Sequence, residues 1–230
     1  MKKIGLIGGT GPESTLMYYK ELNSRIDKKT GGSHMPEIAI ESVDFRKVWS
    51  MVCSGDLESL SDHLALKLKN LEAGGAGVIA LTAVTMHIVF DDVRKKTGIN
   101  LVSIPQAVSE EIVRRGYKKV GLLGTVFTME QDYMKTDLIN AGIEVKVPCK
   151  EDRDLIGKRI IEELELGIVK ESTLEEFNKI IGKMKEEAGI EAVILGCTEL
   201  PLLLNDGNCV LPTLDSVEIH IGKLIDMAVE

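Results

Sequence analysis

The segment Leu195-Gly196-Cys197-Thr198-Glu199-Leu200-Pro201 places a thiol, a hydroxyl and a carboxylate in three consecutive residues behind a glycine. A thiol moves protons or attacks carbon as its thiolate, so its surroundings decide its chemistry. The apolar run Ala192–Leu195 before it reads as a strand, and Leu200-Pro201 reads as the start of a helix. At such a turn, outward N–H groups and the positive end of the helix dipole favour thiolate. Cys197 is therefore expected to be an ionisable acid or base. Thr198 and Glu199 are expected to hydrogen-bond an amino or carboxylate group. Gly196 lets backbone approach a ligand closely. Cys53, Cys149 and Cys209 lack such a context and are expected to be buried structural residues.

Three further turns carry short polar groups. Gly8-Gly9-Thr10-Gly11-Pro12 follows an apolar run and suits a small anion, held by amides and the Thr10 hydroxyl. It does not suit a dinucleotide, because Pro12 supplies no N–H and the glycine spacing departs from the fingerprint. Thr125 and Thr128, in Gly124-Thr125-Val126-Phe127-Thr128, are the expected equivalents of Thr10 further on. In Ala83-Val84-Thr85-Met86-His87, Thr85 can hydrogen-bond a ligand. His87 either donates to a bound carboxylate or packs as a structural residue. His220 has both readings too, the structural one leading.

The elements that position these turns are short apolar runs alternating with segments of helical period. That is the pattern of a parallel sheet covered by helices. Strands are expected at Lys3–Ile7, Glu37–Ser42, Gly77–Leu81, Leu101–Ser103, Lys119–Leu123, Ile143–Lys146, Ala192–Leu195 and Val210–Pro212. Helices are expected near Glu13–Asp27, Leu57–Ala73, Ile104–Arg115, Thr128–Ala141, Asp152–Leu166, Thr173–Ala188 and Ser216–Ala228. An internal repeat organises them. Lys2-Lys3-Ile4-Gly5-Leu6-Ile7-Gly8 is echoed by Lys118-Lys119-Val120-Gly121-Leu122-Leu123-Gly124, and Ile79–Thr85 aligns with Val193–Glu199 at a nearly equal offset. The fold class expected is α/β: two pseudo-symmetric, doubly wound parallel-sheet domains facing one cleft. The first half comprises 1–99 plus 213–230, with the C-terminal helix returning to it, and the second comprises 100–212. Ligands of open parallel sheets bind beyond the carboxyl ends of the strands, where all four turns fall.

Composition limits the partners. With 28 basic and 36 acidic residues, the net charge of -8 gives no electrostatic reason to hold nucleic acid. No apolar run is long enough to span a bilayer, and the opening residues read as a strand rather than a signal peptide, so a cytoplasmic address is expected. Four dispersed cysteines and four single histidines argue against a disulfide framework and against a metal site.

At these residues the chain resembles the aspartate/glutamate racemase family, along its whole length. The resemblance rests on the Ile4-Gly5-Leu6-Ile7-Gly8-Gly9 turn with Gly11-Pro12, on Leu123-Gly124-Thr125, and on Gly196-Cys197-Thr198-Glu199. It implies two α/β halves, a small-molecule carboxylate substrate, no cofactor, and a homodimer as the usual form. It also implies two-base chemistry, in which one cysteine removes the α-proton and a second delivers a proton to the other face. Arg46 and Lys170 resemble basic residues that aspartate racemases set near a distal carboxylate. The first-half motif departs from the family: where a cysteine or threonine followed by asparagine is usual, this chain has Ala83-Val84. Ala83 holds the position of the first base and has no proton to exchange. Three readings therefore stay open. The first is a racemase or isomerase of a small acidic amino acid or similar carboxylate, with Cys197 as main acid and base. The second is a single-cysteine decarboxylase of malonate-type acids, resembling arylmalonate decarboxylase. The third is a catalytically silent carboxylate-binding protein.

Overall fold

The computed structural model describes residues 1–230. In chain order the elements are β1 Ile4–Gly8, α1 Pro12–Lys29, β2 Ile38–Ser42, α2 Phe45–Ser54, α3 Leu57–Ala73, β3 Val78–Leu81, α4 Phe90–Thr97, β4 Leu101–Val102 and α5 Ile104–Arg115. There follow β5 Lys119–Leu123, α6 Val126–Glu130, α7 Thr136–Asn140, β6 Glu144–Lys146, α8 Lys150–Glu162, α9 Glu171–Ala188, β7 Ala192–Leu195, α10 Leu200–Leu203, β8 Thr213–Asp215 and α11 Ser216–Val229. 3-10 segments lie at Val84–Val89 and Leu164–Leu166. No helix is long and apolar enough to cross a membrane.

Two compact units form, Met1–Ser103 with His220–Glu230, and Ile104–Ile219. The first holds a parallel sheet of order β2-β1-β3-β4, the second a parallel sheet of order β6-β5-β7-β8. These are the same order, with the winding reversing between the two central strands in each. The chain is therefore an α/β protein of two doubly wound sheets, as its alternating pattern and repeat predict. The central strands β1, β3 and β7 are buried at every residue, because helices cover both faces.

The repeated glycine inside the first strand of each sheet has a packing reason. A Cβ on Gly5 would stand 2.8 Å from Ala76 Cβ, and one on Gly121 would stand 2.8 Å from Ile190 Cδ1. Ala76 and Ile190 lie on the turns that lead into β3 and β7, so in each sheet the missing side chain lets that turn close against the strand. Helix α1 buries Ser14, Tyr18, Leu22 and Ile26, a strict fourfold spacing facing the sheet. Asp44 starts α2 by accepting from the amides of Arg46 and Lys47.

Several expectations need correction. The eighth strand is Thr213–Asp215, not Val210–Pro212. The Val210 amide is taken by the Asn178 side chain, while the Asp206 carboxylate gathers the Thr213 amide and hydroxyl. Residues 213–215 pair with β7 and so belong to the second sheet rather than the first half. The expected helix Thr128–Ala141 is broken into α6 and α7. Gln131 is extended, and the Lys135 ammonium satisfies the Met129 and Glu130 carbonyls that the break leaves behind. Asp152–Leu166 likewise stops at Glu162 and turns once more as a 3-10 segment. Helices α2 and α4 have no expected counterpart.

From His220 onward α11 is fixed to the first unit. The Lys2 amide donates to Ala228 O at 2.8 Å. His220 Nε2 donates to Val102 O at 3.1 Å, so its Nδ1 accepts from the Tyr18 hydroxyl at 2.7 Å. Both rings are fully buried.

Candidate functional site

The switch point of each sheet lies between its central strands, where turns diverge and leave room for a ligand. In the first unit these are the turns after β1 and β3. The Thr82 amide donates to Ile7 O, its hydroxyl donates to the same oxygen at 3.0 Å, and its carbonyl accepts from the Ser14 hydroxyl at 2.7 Å. Thr82 is therefore wholly committed to joining the two strand ends and cannot act as a base. Ala83 and Val84 come next, followed by half-buried Thr85 and buried His87. Across from them, Gly9 at φ +79° and Gly11 at φ +143° bend the chain around Thr10, a backbone path that other residues resist. Thr10 is 9% exposed, and its hydroxyl has no hydrogen-bond partner. A buried hydroxyl without a partner carries a penalty of about 1–3 kcal/mol that a ligand oxygen would relieve.

His87 is set differently from the donor role considered for it. Its Nδ1 donates to Ala83 O at 3.1 Å and to Val84 O at 3.2 Å, and the ring stacks on Phe90 at 5.2 Å. Burial brings its pKa down to about 4, despite those carbonyls. It is a neutral imidazole whose proton holds the turn in shape. Arg46 lies exposed in the first turn of α2, just beyond the end of β2.

The second unit repeats the arrangement. Leu123 pairs with Leu195 as Ile7 pairs with Leu81, and the Gly196 amide donates to Leu123 O at 2.7 Å as that of Thr82 donates to Ile7 O. In register, Gly196 matches Thr82 and Cys197 matches Ala83. A Cβ on Gly196 would stand 2.7 Å from Leu123 O, which is backbone and cannot move aside. Gly196→Ala should cost about 1–3 kcal/mol in chemical denaturation; unchanged stability would contradict this packing.

The threonine equivalence differs from expectation. Thr128 lies beneath Gly124 as Thr15, not Thr10, lies beneath Gly8. Thr125 caps α6 by accepting from the Thr128 amide.

Cys197 is 8% exposed. Its sulfur accepts from the Glu199 and Leu200 amides, which favour thiolate. Burial and the Glu199 carboxylate outweigh them and push the thiol strongly up. The expected thiolate is thus corrected: at rest Cys197 is a protonated thiol. The Thr198 hydroxyl donates to Glu199 at 2.5 Å. Glu165, unnoticed in the sequence, is raised by burial and by the charge of Glu199. Lys170 is engaged elsewhere. Its ammonium lies 3.0 Å from buried Glu163, which Thr173 and Arg159 also hold. Of the other cysteines, Cys53 and Cys149 are exposed and Cys209 half-buried, so none is the buried structural residue expected. Cys149 stands at the start of α8, its thiol donating to Asp152 and accepting from Lys183.

Paired sheets of order 2-1-3-4, each presenting short polar groups at its switch point and one of them a thiol, define a duplicated α/β protein with strand-end sites. The chain belongs to the Asp/Glu/hydantoin racemase family, whose model matches residues 7–224. A crystallised candidate Asp/Glu racemase from Yersinia pestis is 37% identical, with a TM-score of 0.94 over the whole of both chains. An aspartate racemase homologue from Pyrococcus horikoshii is 43% identical, with a TM-score of 0.91, again over the whole of both. The aspartate racemase of Picrophilus torridus shares the fold at 24% identity and a TM-score of 0.74, over 99% of this chain and 94% of that one.

Proposed function

We propose that this chain is a cofactor-independent racemase or isomerase that transfers a proton at the α-carbon of a small acidic amino acid or a similar carboxylate, with Cys197 as its acid and base. The observation that carries this reading is the place of Cys197, at the switch point of the second sheet, its sulfur held by two amides and facing Glu199. Within the second unit, Thr125 is the hydroxyl that meets a ligand carboxylate oxygen beside Cys197; Thr10, Thr85 and Arg46 are the first unit's own candidates for binding a carboxylate.

The protonation of the thiol gives the mechanism its order. Burial, and after it the negative charge of Glu199, oppose ionisation of Cys197. An ammonium group paired with Glu199 cancels that charge, so an arriving amino acid lowers the barrier to forming its own base. The thiol gives its proton to solvent water, and the thiolate so formed takes the α-proton and becomes a thiol again. The carbanion delocalises into the carboxylate, whose growing charge the Thr125 hydroxyl stabilises. The same sulfur returns a proton to the same face. We read Ala83 as the place of the family's first base, so the far face has no side-chain donor there, and inversion draws on water.

A second reading is favoured by two specific features, Ala83 and the resting thiol. Loss of carbon dioxide from a malonate-type acid makes a carbanion without a base, and a protonated thiol is ready to quench it. Chiral chromatography of aspartate and glutamate, run beside carbon dioxide release from substituted malonates, separates the two. Inverted amino acid supports the isomerase, and carbon dioxide with no inversion supports the lyase. Neither product, with ligand bound, would leave a carboxylate-binding protein.

A further inference from the structure

Three hydroxyls in the second unit form a chain that ends at the switch point. Tyr133 Oη lies 2.9 Å from Thr128 Oγ1, which lies 3.0 Å from Thr125 Oγ1, and Thr125 Oγ1 also accepts from the Thr128 amide at 3.2 Å. Thr128 is 1% exposed, whereas Thr125 and Tyr133 are half-buried. The chain is packed against the turn that carries Cys197, since a Cβ on Gly196 would stand 3.3 Å from Thr128 Cγ2.

Donor counting gives the chain a direction. Either hydroxyl can donate in each of these contacts; in the sense in which the phenol, the stronger donor, gives its hydrogen to Thr128, Thr128 gives its own to Thr125. Thr125 Oγ1 then accepts twice, from the Thr128 hydroxyl and the Thr128 amide, which fills both lone pairs. Its own hydrogen must point away from the chain. Each accepted bond also makes that hydrogen more positive, since hydrogen bonds in sequence polarise one another.

We propose that Tyr133 is a positioning residue, which through Thr128 turns the Thr125 hydroxyl into an outward donor for the carboxylate of a bound ligand. The inference rests on the carboxylate-binding reading above and adds a residue that touches no ligand itself. It also explains the break between α6 and α7: an unbroken helix would carry residue 133 away from residue 128, five positions earlier and on another face.

The test is calorimetric titration of L-aspartate, D-aspartate, L-glutamate, malonate and succinate into the whole chain and its Tyr133→Phe, Thr125→Val and double variants. For the tightest-binding acid, Tyr133→Phe should weaken affinity about fivefold while the variant remains folded, with only a small drop in its unfolding temperature for the lost hydrogen bond. Thr125→Val should weaken it more. Adding Tyr133→Phe to Thr125→Val should then weaken it no further, because the donor is already gone. Wild-type affinity in Tyr133→Phe, equal weakening on both backgrounds, or no binding of any of the five acids would each overturn the proposal. Should Tyr133→Phe fail to fold, Thr125→Ser carries the test. Serine keeps the donor and should bind at least about fivefold more tightly than valine, and equal affinity would overturn it. Binding with this pattern but without exchange at the α-carbon would remove the proton-transfer reading and leave this one standing.

Discussion

On the proposed function, Cys197→Ala is expected to lower kcat by roughly 10³-fold while the variant still binds a carboxylate ligand. The size follows from the proposed role of Cys197 as the group that takes the proton from carbon and gives it back. Thr125 and Thr128 are hydroxyls without an adjacent base, and Glu199 is bound by Thr198. Retained binding is expected because the substitution leaves the Thr125 hydroxyl and its partners in place. The variant removes one sulfur from a buried position, so its stability should fall by about 1 kcal/mol at most. Steady-state kinetics beside thermal unfolding separate the two effects. Activity within a few fold of wild type would remove Cys197 from the chemistry.

Acid destabilises the first unit over a window set by two histidines. His87 and His220 are fully buried, neutral, and lowered to about 4 and about 3, in each case chiefly by burial. In the unfolded chain each takes up a proton near pH 6.5. Between pH 6.5 and about 4 the unfolded state therefore binds up to two more protons than the folded one, and stability falls as pH falls. By pH 4.5 the two together remove about 5 kcal/mol, at 1.36 kcal/mol per pKa unit. Glu111 and Glu144, held at about 2 by their basic neighbours, lose their charge only below that point. Urea denaturation from pH 7.5 to 4.5 checks this. His220→Gln should be less stable at pH 7.5 and flatten the slope by about one proton. A wild-type stability that is level across this range would contradict the neutral, buried rings.

How far the sequence carries can be seen residue by residue. The central strands are apolar along their whole length because both faces are covered, so runs such as Ala192–Leu195 announce themselves. The repeat of Gly5 at Gly121 survives because the same close approach recurs, and Ala83 and Cys197 could be aligned from it. Local reasoning failed where distant groups decide. The Asn178 side chain takes the Val210 amide and moves the last strand three residues on. Lys135 makes the break after Glu130 affordable, and nothing in the run Thr128–Ala141 signals it. The ionisation of Cys197 was misjudged for the same reason. Its amide neighbours are local and legible, while the burial that overrides them is built from the whole second unit. Tyr133 is not legible because it reaches Thr128 through a hydrogen bond that spacing alone does not reveal.

The most direct measurement is proton NMR of D- and L-aspartate and glutamate in deuterium oxide with the wild-type chain, following both the α-proton signal and the configuration. A single acid and base on one face predicts that one enantiomer loses its α-proton signal faster than it inverts, and that Cys197→Ala shows neither change. Bound amino acid whose α-proton persists, or equal rates of exchange and inversion for both enantiomers, would contradict a lone thiol working from one side.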